Sequence, residues 1–162
     1  MNFLVVILSY LLGSINFAYI IARIKGIDIS SKGSGNPGTS NVLRTLGKSS
    51  AAFVLFGDLL KGAIPIAYFY QDQHFLIYGL AAVIGHIYPL FYRFKGGKGV
   101  ATYLGVYIAT VFINPYNSDL LNIEIFQILN IPVLAFFYFV IFKTTRVSAI
   151  ASLVTVLVTV SI

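Results

Sequence analysis

Residues 3 to 22 read Phe3-Leu4-Val5-Val6-Ile7-Leu8-Ser9-Tyr10-Leu11-Leu12-Gly13-Ser14-Ile15-Asn16-Phe17-Ala18-Tyr19-Ile20-Ile21-Ala22, twenty positions without a Lys, Arg, Asp or Glu. As a helix this stretch would be about 30 Å long, the thickness of a bilayer's hydrocarbon core. Only Met1 and Asn2 precede it. There is no positively charged flank before it and no small-residue cleavage signature after it, so it is expected to be a retained span and not a signal peptide.

Further apolar runs follow. They are Ser49 to Tyr70, interrupted by Asp58 and Lys61; Phe75 to near Pro89; Val100 to Ile113, short for a full crossing; Ile125 to Phe142; and Val147 to Ile162. The whole chain of 162 residues is 58% hydrophobic and 10% charged, against about 25% charged in soluble domains, and its mean hydropathy is +0.89. An ordinary soluble domain is thereby excluded, as is a soluble nucleic-acid binder, despite the net charge of +6. The expected fold is all-α: a polytopic integral membrane helix bundle of about six apolar segments, forming one domain over residues 1–162. No internal repeat or low-complexity segment interrupts it.

The connectors should alternate between the two sides of the membrane. Arg23 to Lys48 holds Arg23, Lys25, Lys32, Arg44 and Lys48; Tyr92 to Gly99 holds Arg93, Lys95 and Lys98; Lys143 to Arg146 holds its two terminal residues. The intervening connectors, Gln71 to His74 and Asn114 to Glu124, hold no Lys or Arg but contain Asp72, Asp119 and Glu124. Basic residues near span ends are retained in the cytoplasm, so the pattern predicts an external N-terminus and three cytoplasmic connectors.

The basic residue left over, Lys61, stands three positions after Asp58 within the second run. At that spacing the two share a helix face and can pair. An ionisable residue inside a membrane is a candidate for function, and a structural ion pair locking the helix to its neighbours is the competing reading.

Ser31-Lys32-Gly33-Ser34-Gly35-Asn36-Pro37-Gly38-Thr39-Ser40-Asn41-Val42-Leu43-Arg44 lies in the first basic connector. Its glycines let consecutive amides turn into one concavity, and its Ser, Asn, Thr, Lys and Arg side chains suit phosphate. A segment of this composition is more often a plain loop, but its place between two spans on the basic side favours an anion site. The second basic connector ends Phe94-Lys95-Gly96-Gly97-Lys98-Gly99, directly before an apolar run, so an anion could meet amides, ammonium groups and a helix N-terminus together. Simple positive-inside anchoring is the competing account of its lysines. Neither segment matches G-x-x-x-x-G-K-[ST]: Gly97-Lys98 is followed by Gly99, and Gly47-Lys48-Ser49 has Val42 where glycine is required.

There is no cysteine, which removes thiolate nucleophiles, thiolate metal sites and disulfides. Two histidines twelve residues apart, His74 and His86, argue against a transition-metal site. His86 is either a general base or a polar residue near the end of its helix; His74 lies in an external connector and is expected to do no chemistry. No acid lies near His86 in sequence, so no Ser-His-Asp arrangement can be argued. The signature His-x4-Asp also fails, since Gly79 and Phe91 stand where Asp is required.

Taken together, Gly33-Ser34-Gly35-Asn36-Pro37-Gly38-Thr39-Ser40-Asn41 with Arg44, the Asp58/Lys61-Gly62 pair, Gly85-His86 through Pro89, Phe94 through Thr102, and Arg146-Val147-Ser148 resemble the PlsY family of bacterial membrane acyltransferases. The resemblance implies a seven-helix bundle in the bacterial inner membrane, with an active site facing the cytoplasm. It implies transfer of a fatty acyl group from acyl phosphate to glycerol 3-phosphate, giving 1-acyl-glycerol 3-phosphate (lysophosphatidic acid) for phospholipid synthesis. The expected partners are acyl phosphate, glycerol 3-phosphate and membrane lipid, with no cofactor, no metal and no nucleic acid.

Carried over residue by residue, the resemblance implies that Ser34, Asn36, Asn41 and Arg44 hold phosphate, and that Lys95, Gly96, Gly97 and Lys98 hold phosphate and carbonyl oxygens. Ser148 contributes from the third basic connector. Gly33, Gly35, Gly38, Gly99 and Lys61 complete the substrate-binding candidates, and Lys98, His86 and Ser34 are the catalytic candidates. For the oxyanion, Lys98 or the Gly96 and Gly97 amides are expected to donate. His86, a substrate phosphate oxygen or a C-terminal histidine could take the proton. Two features depart from the family: Thr39-Ser40 replaces the usual Ala-Thr, and the sequence ends before the family's seventh helix and His-x-x-Asn segment, which are expected to be missing from this chain. A small transporter for an anionic metabolite, using Asp58 and Lys61, is the alternative, although no related halves are visible.

Overall fold

A computed structural model describes residues 1–113. The apolar runs Ile125 to Phe142 and Val147 to Ile162, the connectors Asn114 to Glu124 and Lys143 to Arg146, and Ser148 lie outside the described residues.

The described residues form helices α1 (Phe3–Ser14), α2 (Phe17–Ile24), α3 (Thr39–Leu46), α4 (Lys48–Phe69), α5 (Phe75–Ile87) and α6 (Val100–Ile113), with 3₁₀ turns at Ile29–Ser31 and Leu90–Tyr92. Phe3–Ile24, Lys48–Phe69 and Phe75–Tyr92 are long and apolar enough to cross a bilayer, and Val100–Ile113 is a shorter apolar helix. These match the apolar runs read from the sequence, with one correction.

The first run is not one continuous helix. Ile15 and Asn16 adopt extended backbone, and the Asn16 side chain accepts from the amides of Ala18 and Tyr19 at 3.1 and 3.2 Å, restarting the chain as α2. Broken helices survive at membrane depth only where protein satisfies the freed backbone groups. Here the Ile15 carbonyl, released from the α1 ladder, accepts a hydrogen bond from Lys61 Nζ at 2.7 Å. A buried lysine thus stabilises the break, and the break gives the lysine an acceptor.

The helices pack α1 on α5 and α4 between α5 and α6. Small residues set these distances. A Cβ on Gly13 would lie 2.0 Å from the Ala82 carbonyl oxygen, and one on Gly85 would lie 2.2 Å from the Tyr10 oxygen, so α1 and α5 meet backbone to backbone. Gly62 and Gly105 do the same for α4 and α6, against Thr102 and Leu59. Such contacts replace the hydrophobic driving force that lipid tails cannot supply. Large apolar side chains such as Phe3, Phe53, Phe56 and Leu80 point outward, whereas Ser14, Asn16, Asp58, Lys61, His86 and Thr102 are buried.

At the end of the bundle away from the glycine-rich connectors, Asp72 ties the α4–α5 turn together. Its Oδ1 accepts from the His74 amide at 2.8 Å and faces His74 Nδ1 at 3.1 Å, and its Oδ2 accepts from the Tyr78 hydroxyl at 2.5 Å. The Asn2 amide donates to that same hydroxyl at 3.1 Å. His74 therefore has a structural place in a turn, compatible with its expected lack of chemistry.

Candidate active site

The first glycine-rich segment is a folded loop leading into α3. Gly33 and Gly35 have φ of 58° and 71°, in the left-handed region that favours glycine, while Gly38 is extended at −133° and caps the N-terminus of α3. Asn41, buried in the first turns of α3, holds the loop: its Oδ1 accepts from the Ser34 amide at 2.9 Å and its Nδ2 donates to the Lys32 carbonyl at 3.0 Å. The Gly35 and Gly38 amides bond to Lys32 and Asn36 carbonyls, each at 2.9 Å. This corrects the expectation of an open amide nest. Ser34, Gly35 and Gly38 direct their N–H groups into the loop itself, and Asn41 uses both ends of its side chain on the loop. What the loop presents outward is the exposed Ser34, Lys32 and Arg44, with Asn36 half-buried.

The second segment, Lys95 to Gly99, follows a 3₁₀ turn and ends at the N-terminus of α6, which begins at Val100. Residues of α5 shape it. The Gly97 amide donates to the His86 carbonyl at 3.2 Å, so this amide is not available for an oxyanion. A Cβ on Gly96 would lie 2.1 Å from that carbonyl, and one on Gly97 would lie 2.2 Å from His86 Nε2. Both glycines are required by space, because the loop lies flat against His86. Gly99 takes φ of 77°, and Lys95 and Lys98 remain exposed.

The first loop and the 3₁₀ turn that leads into the second are fastened to the α1/α2 break. Asn16 Nδ2 donates to the Pro37 carbonyl at 3.4 Å, the Leu90 amide donates to Ser14 Oγ at 3.3 Å, and the Tyr19 and Tyr92 rings stack with centroids 4.6 Å apart. Lys98 and Arg44 stand near enough for their charges to interact. Partial loss of water around the ammonium is the larger cause holding the Lys98 ammonium below the usual lysine range, and the nearby Arg44 guanidinium is the second. Lys98 stands just before the N-terminus of α6, whereas Arg44 lies in the last turn of α3, so the two cations reach one region from opposite kinds of helix end. In the first loop Asp28 accepts from the Ser30 hydroxyl and amide, which lowers its carboxyl below the usual range.

Beneath the loops lies a charged group that sequence spacing only half revealed. Asp58 Oδ1 is 2.9 Å from Lys61 Nζ and 3.4 Å from His86 Nδ1, and all three residues are at most 3% exposed. Asp58 Oδ1 and His86 Nδ1 make no well-directed hydrogen bond, so the ion pair with Lys61 and close packing against His86 hold the carboxylate. Lys61 is an interior residue with its ammonium on Asp58 and Ile15. His86 is a buried ring between Asp58 and Gly97. The partnership of Asp58 and His86 was missed because 28 residues separate them. One signal could have found it: each stands fourteen positions from Asp72 in the α4–α5 turn, so an antiparallel pair brings them to one depth.

A family model described as glycerol-3-phosphate acyltransferase matches residues 3–162. The chain is 53% identical over 109 residues to the glycerol-3-phosphate acyltransferase of Aquifex aeolicus, covering 64% of this chain and 57% of that relative. It is 43% identical over 158 residues to the enzyme of that name from Bacillus cytotoxicus, covering 95% of this chain and 72% of the relative. The crystal structure of PlsY, an integral membrane glycerol 3-phosphate acyltransferase, in its glycerol 3-phosphate form superposes with a TM-score of 0.72 at 38% identity, covering 94% of this chain and 71% of that one. The lysophosphatidic acid form gives 0.70 at 39% identity, over 94% and 70%. The chain thus spans between about half and three quarters of the length of these relatives.

Proposed function

This chain belongs to the glycerol-3-phosphate acyltransferase family, and from that premise we propose that it acylates glycerol 3-phosphate with an acyl phosphate donor at the cytoplasmic face of the bacterial inner membrane. The reading is supported by the fastening of both glycine-rich motifs to one part of the fold: Asn16 holds Pro37 of the first, His86 holds Gly97 of the second, and Lys98 stands near enough to Arg44, in the helix after the first loop, for their charges to interact. Two phosphorylated substrates repel one another unless cations lie between them, and these are the cations the fold brings together. The relatives named above are all glycerol-3-phosphate acyltransferases, so the transporter alternative is not favoured.

An acyl phosphate is a mixed anhydride and is already activated. A glycerol hydroxyl oxygen attacks the acyl carbonyl carbon, the carbon–oxygen bond to phosphate breaks, and phosphate leaves with the electron pair. Charge grows on the carbonyl oxygen during attack, and an aimed donor there contributes about 2.7 to 4 kcal/mol. Lys98 is the group we assign to that role, since the Gly97 amide already serves the His86 carbonyl. Arg44, Ser34 and Lys95 bind phosphate oxygens, with Asn36 beside them. For the hydroxyl proton, a phosphate oxygen of the substrates is the better acceptor, because His86 is buried against Asp58 and Gly97. The cytoplasmic assignment follows from Arg23, Lys25, Lys32, Arg44, Lys48, Arg93, Lys95 and Lys98, all in the two connectors at this end of the bundle.

The test is acyl transfer from palmitoyl phosphate to glycerol 3-phosphate by the purified protein, with the product identified by mass. Lys98→Ala should lose at least 100-fold in turnover while folding normally. A Lys98→Ala enzyme near wild type would remove Lys98 from the oxyanion. Flux of glycerol 3-phosphate into proteoliposomes without chemical change would restore the transporter.

A further inference from the structure

The buried Asp58 reaches both glycine-rich loops through other residues. On one side it holds Lys61, whose ammonium donates to the Ile15 carbonyl at 2.7 Å. The next residue, Asn16, caps α2 and donates to Pro37 in the first loop. On the other side Asp58 faces His86 Nδ1 at 3.4 Å, and His86 carries the second loop twice over: its carbonyl accepts the Gly97 amide, and its ring fills the space where a Gly97 side chain would be.

We propose that Asp58 is a positioning residue for the acyl transfer reaction, joining the two substrate loops through Lys61 and His86 and so setting the separation between Arg44 and Lys98. His86 in this role is a spacer and a partner for Asp58 and takes no proton from substrate. The kinetic arm of this inference rests on the acyltransferase reading; the structural arm does not. The chemistry of the arrangement suits positioning. Ionised groups inside a membrane protein are costly unless paired, and a pair of fixed length makes a rigid strut. A neutral hydrophobic contact at the same place would tolerate sliding of one helix on the next.

The distinguishing variants are His86→Asn, His86→Phe and the charge-neutral double change Asp58→Asn with Lys61→Met. The asparagine amide nitrogen occupies the place of Nδ1 and can donate to Asp58, while phenylalanine fills the ring volume and cannot. In the full chain with palmitoyl phosphate saturating, His86→Phe and the double variant should raise the KM for glycerol 3-phosphate at least tenfold with kcat lowered less than fivefold. His86→Asn should restore the KM to within threefold of wild type. If His86→Asn instead loses kcat as severely as His86→Phe while KM stays put, His86 acts in proton transfer and the proposal is wrong. A wild-type KM in a folded double variant overturns it as well.

Limited trypsin digestion gives the structural arm, read at Lys32 and Arg44 in and after the first loop and at Lys95 and Lys98 in the second. The double variant should be cut at least tenfold faster in both loops; unchanged rates count against the strut whatever the activity. Should wild-type protein transfer no acyl group, the acyltransferase reading fails and the digestion still decides the positioning role.

Discussion

Lys61 Nζ donates to the Ile15 carbonyl at 2.7 Å, joining the middle of α4 to the break between α1 and α2. Breaking a buried pair by removing one partner costs about 3 to 5 kcal/mol, because the other charge is left unpaired, whereas removing both charges is much less damaging. Lys61→Met should therefore lower the thermal midpoint in detergent far more than Asp58→Asn with Lys61→Met. If the single and double variants melt together, the ammonium and carboxylate are not mutually dependent.

Asn41 supports the first loop from inside α3, accepting from Ser34 and donating to Lys32. Asn41→Asp keeps the acceptor, loses the donor and adds a negative charge near the phosphate receptor. We expect the KM for glycerol 3-phosphate to rise at least tenfold, with a melting temperature within a few degrees of wild type. Steady-state kinetics and a melt on the same preparation check this, and a wild-type KM would return Asn41 to a plain structural role.

Lys98 has its ammonium below the usual lysine range through partial loss of water first and Arg44 second. A depressed lysine loses its proton at a lower pH than a free one, so binding and turnover should fall on the alkaline side below the ordinary lysine value of about 10.4. Arg44→Gln removes one of the two causes and should move that alkaline limb upward even as it weakens phosphate binding. An alkaline limb that does not move in Arg44→Gln would show that the two cations do not sense each other.

Asp72 is held at about 2 by the Tyr78 hydroxyl first and the His74 amide next. A carboxyl depressed in the folded state contributes stability that is present above its unfolded value of about 3.9 and is lost as pH falls through about 2. Acid unfolding followed from pH 5 to pH 2 should show a shallower loss in Asp72→Asn than in wild type. Equal slopes would mean that the turn is already open in that range.

Gly85 packs against the Tyr10 and Ser14 backbone, with no room for a methyl group. Gly85→Ala forces α1 away from α5, and overpacking of this kind costs about 1 to 3 kcal/mol. The Leu90 bond to Ser14 Oγ and the Tyr10 bond to the Tyr88 carbonyl cross the same interface, so activity should fall with the melt. A variant that melts like wild type would contradict the close approach.

The apolar runs, the sorting of basic residues and the two glycine-rich loops were legible because they are properties of consecutive residues. Length and hydropathy suffice to mark a span, and Val100–Ile113 was read with its bounds as they stand in the structure. The break at Ile15 was not read from the sequence: Asn16, a capping residue, marks it within a long apolar run, but the partner that satisfies the freed carbonyl, Lys61, stands 46 positions away. Nor was the internal use of the Ser34, Gly35, Gly38 and Gly97 amides, because a glycine-rich composition offers turning freedom without saying what each amide meets.

What the sequence determined by itself was the helical membrane class, the charged end of the bundle and the two glycine-rich motifs. Only the tertiary structure decided that Asp58 partners His86 as well as Lys61, and that Lys61 is interior. The reason is that hydropathy and charge act through their immediate surroundings, lipid or water, and leave their mark on every residue of a run. A pairing between helices depends on register and closest approach, which here are set by glycines at the crossings and by a broken helix whose carbonyl needed a partner.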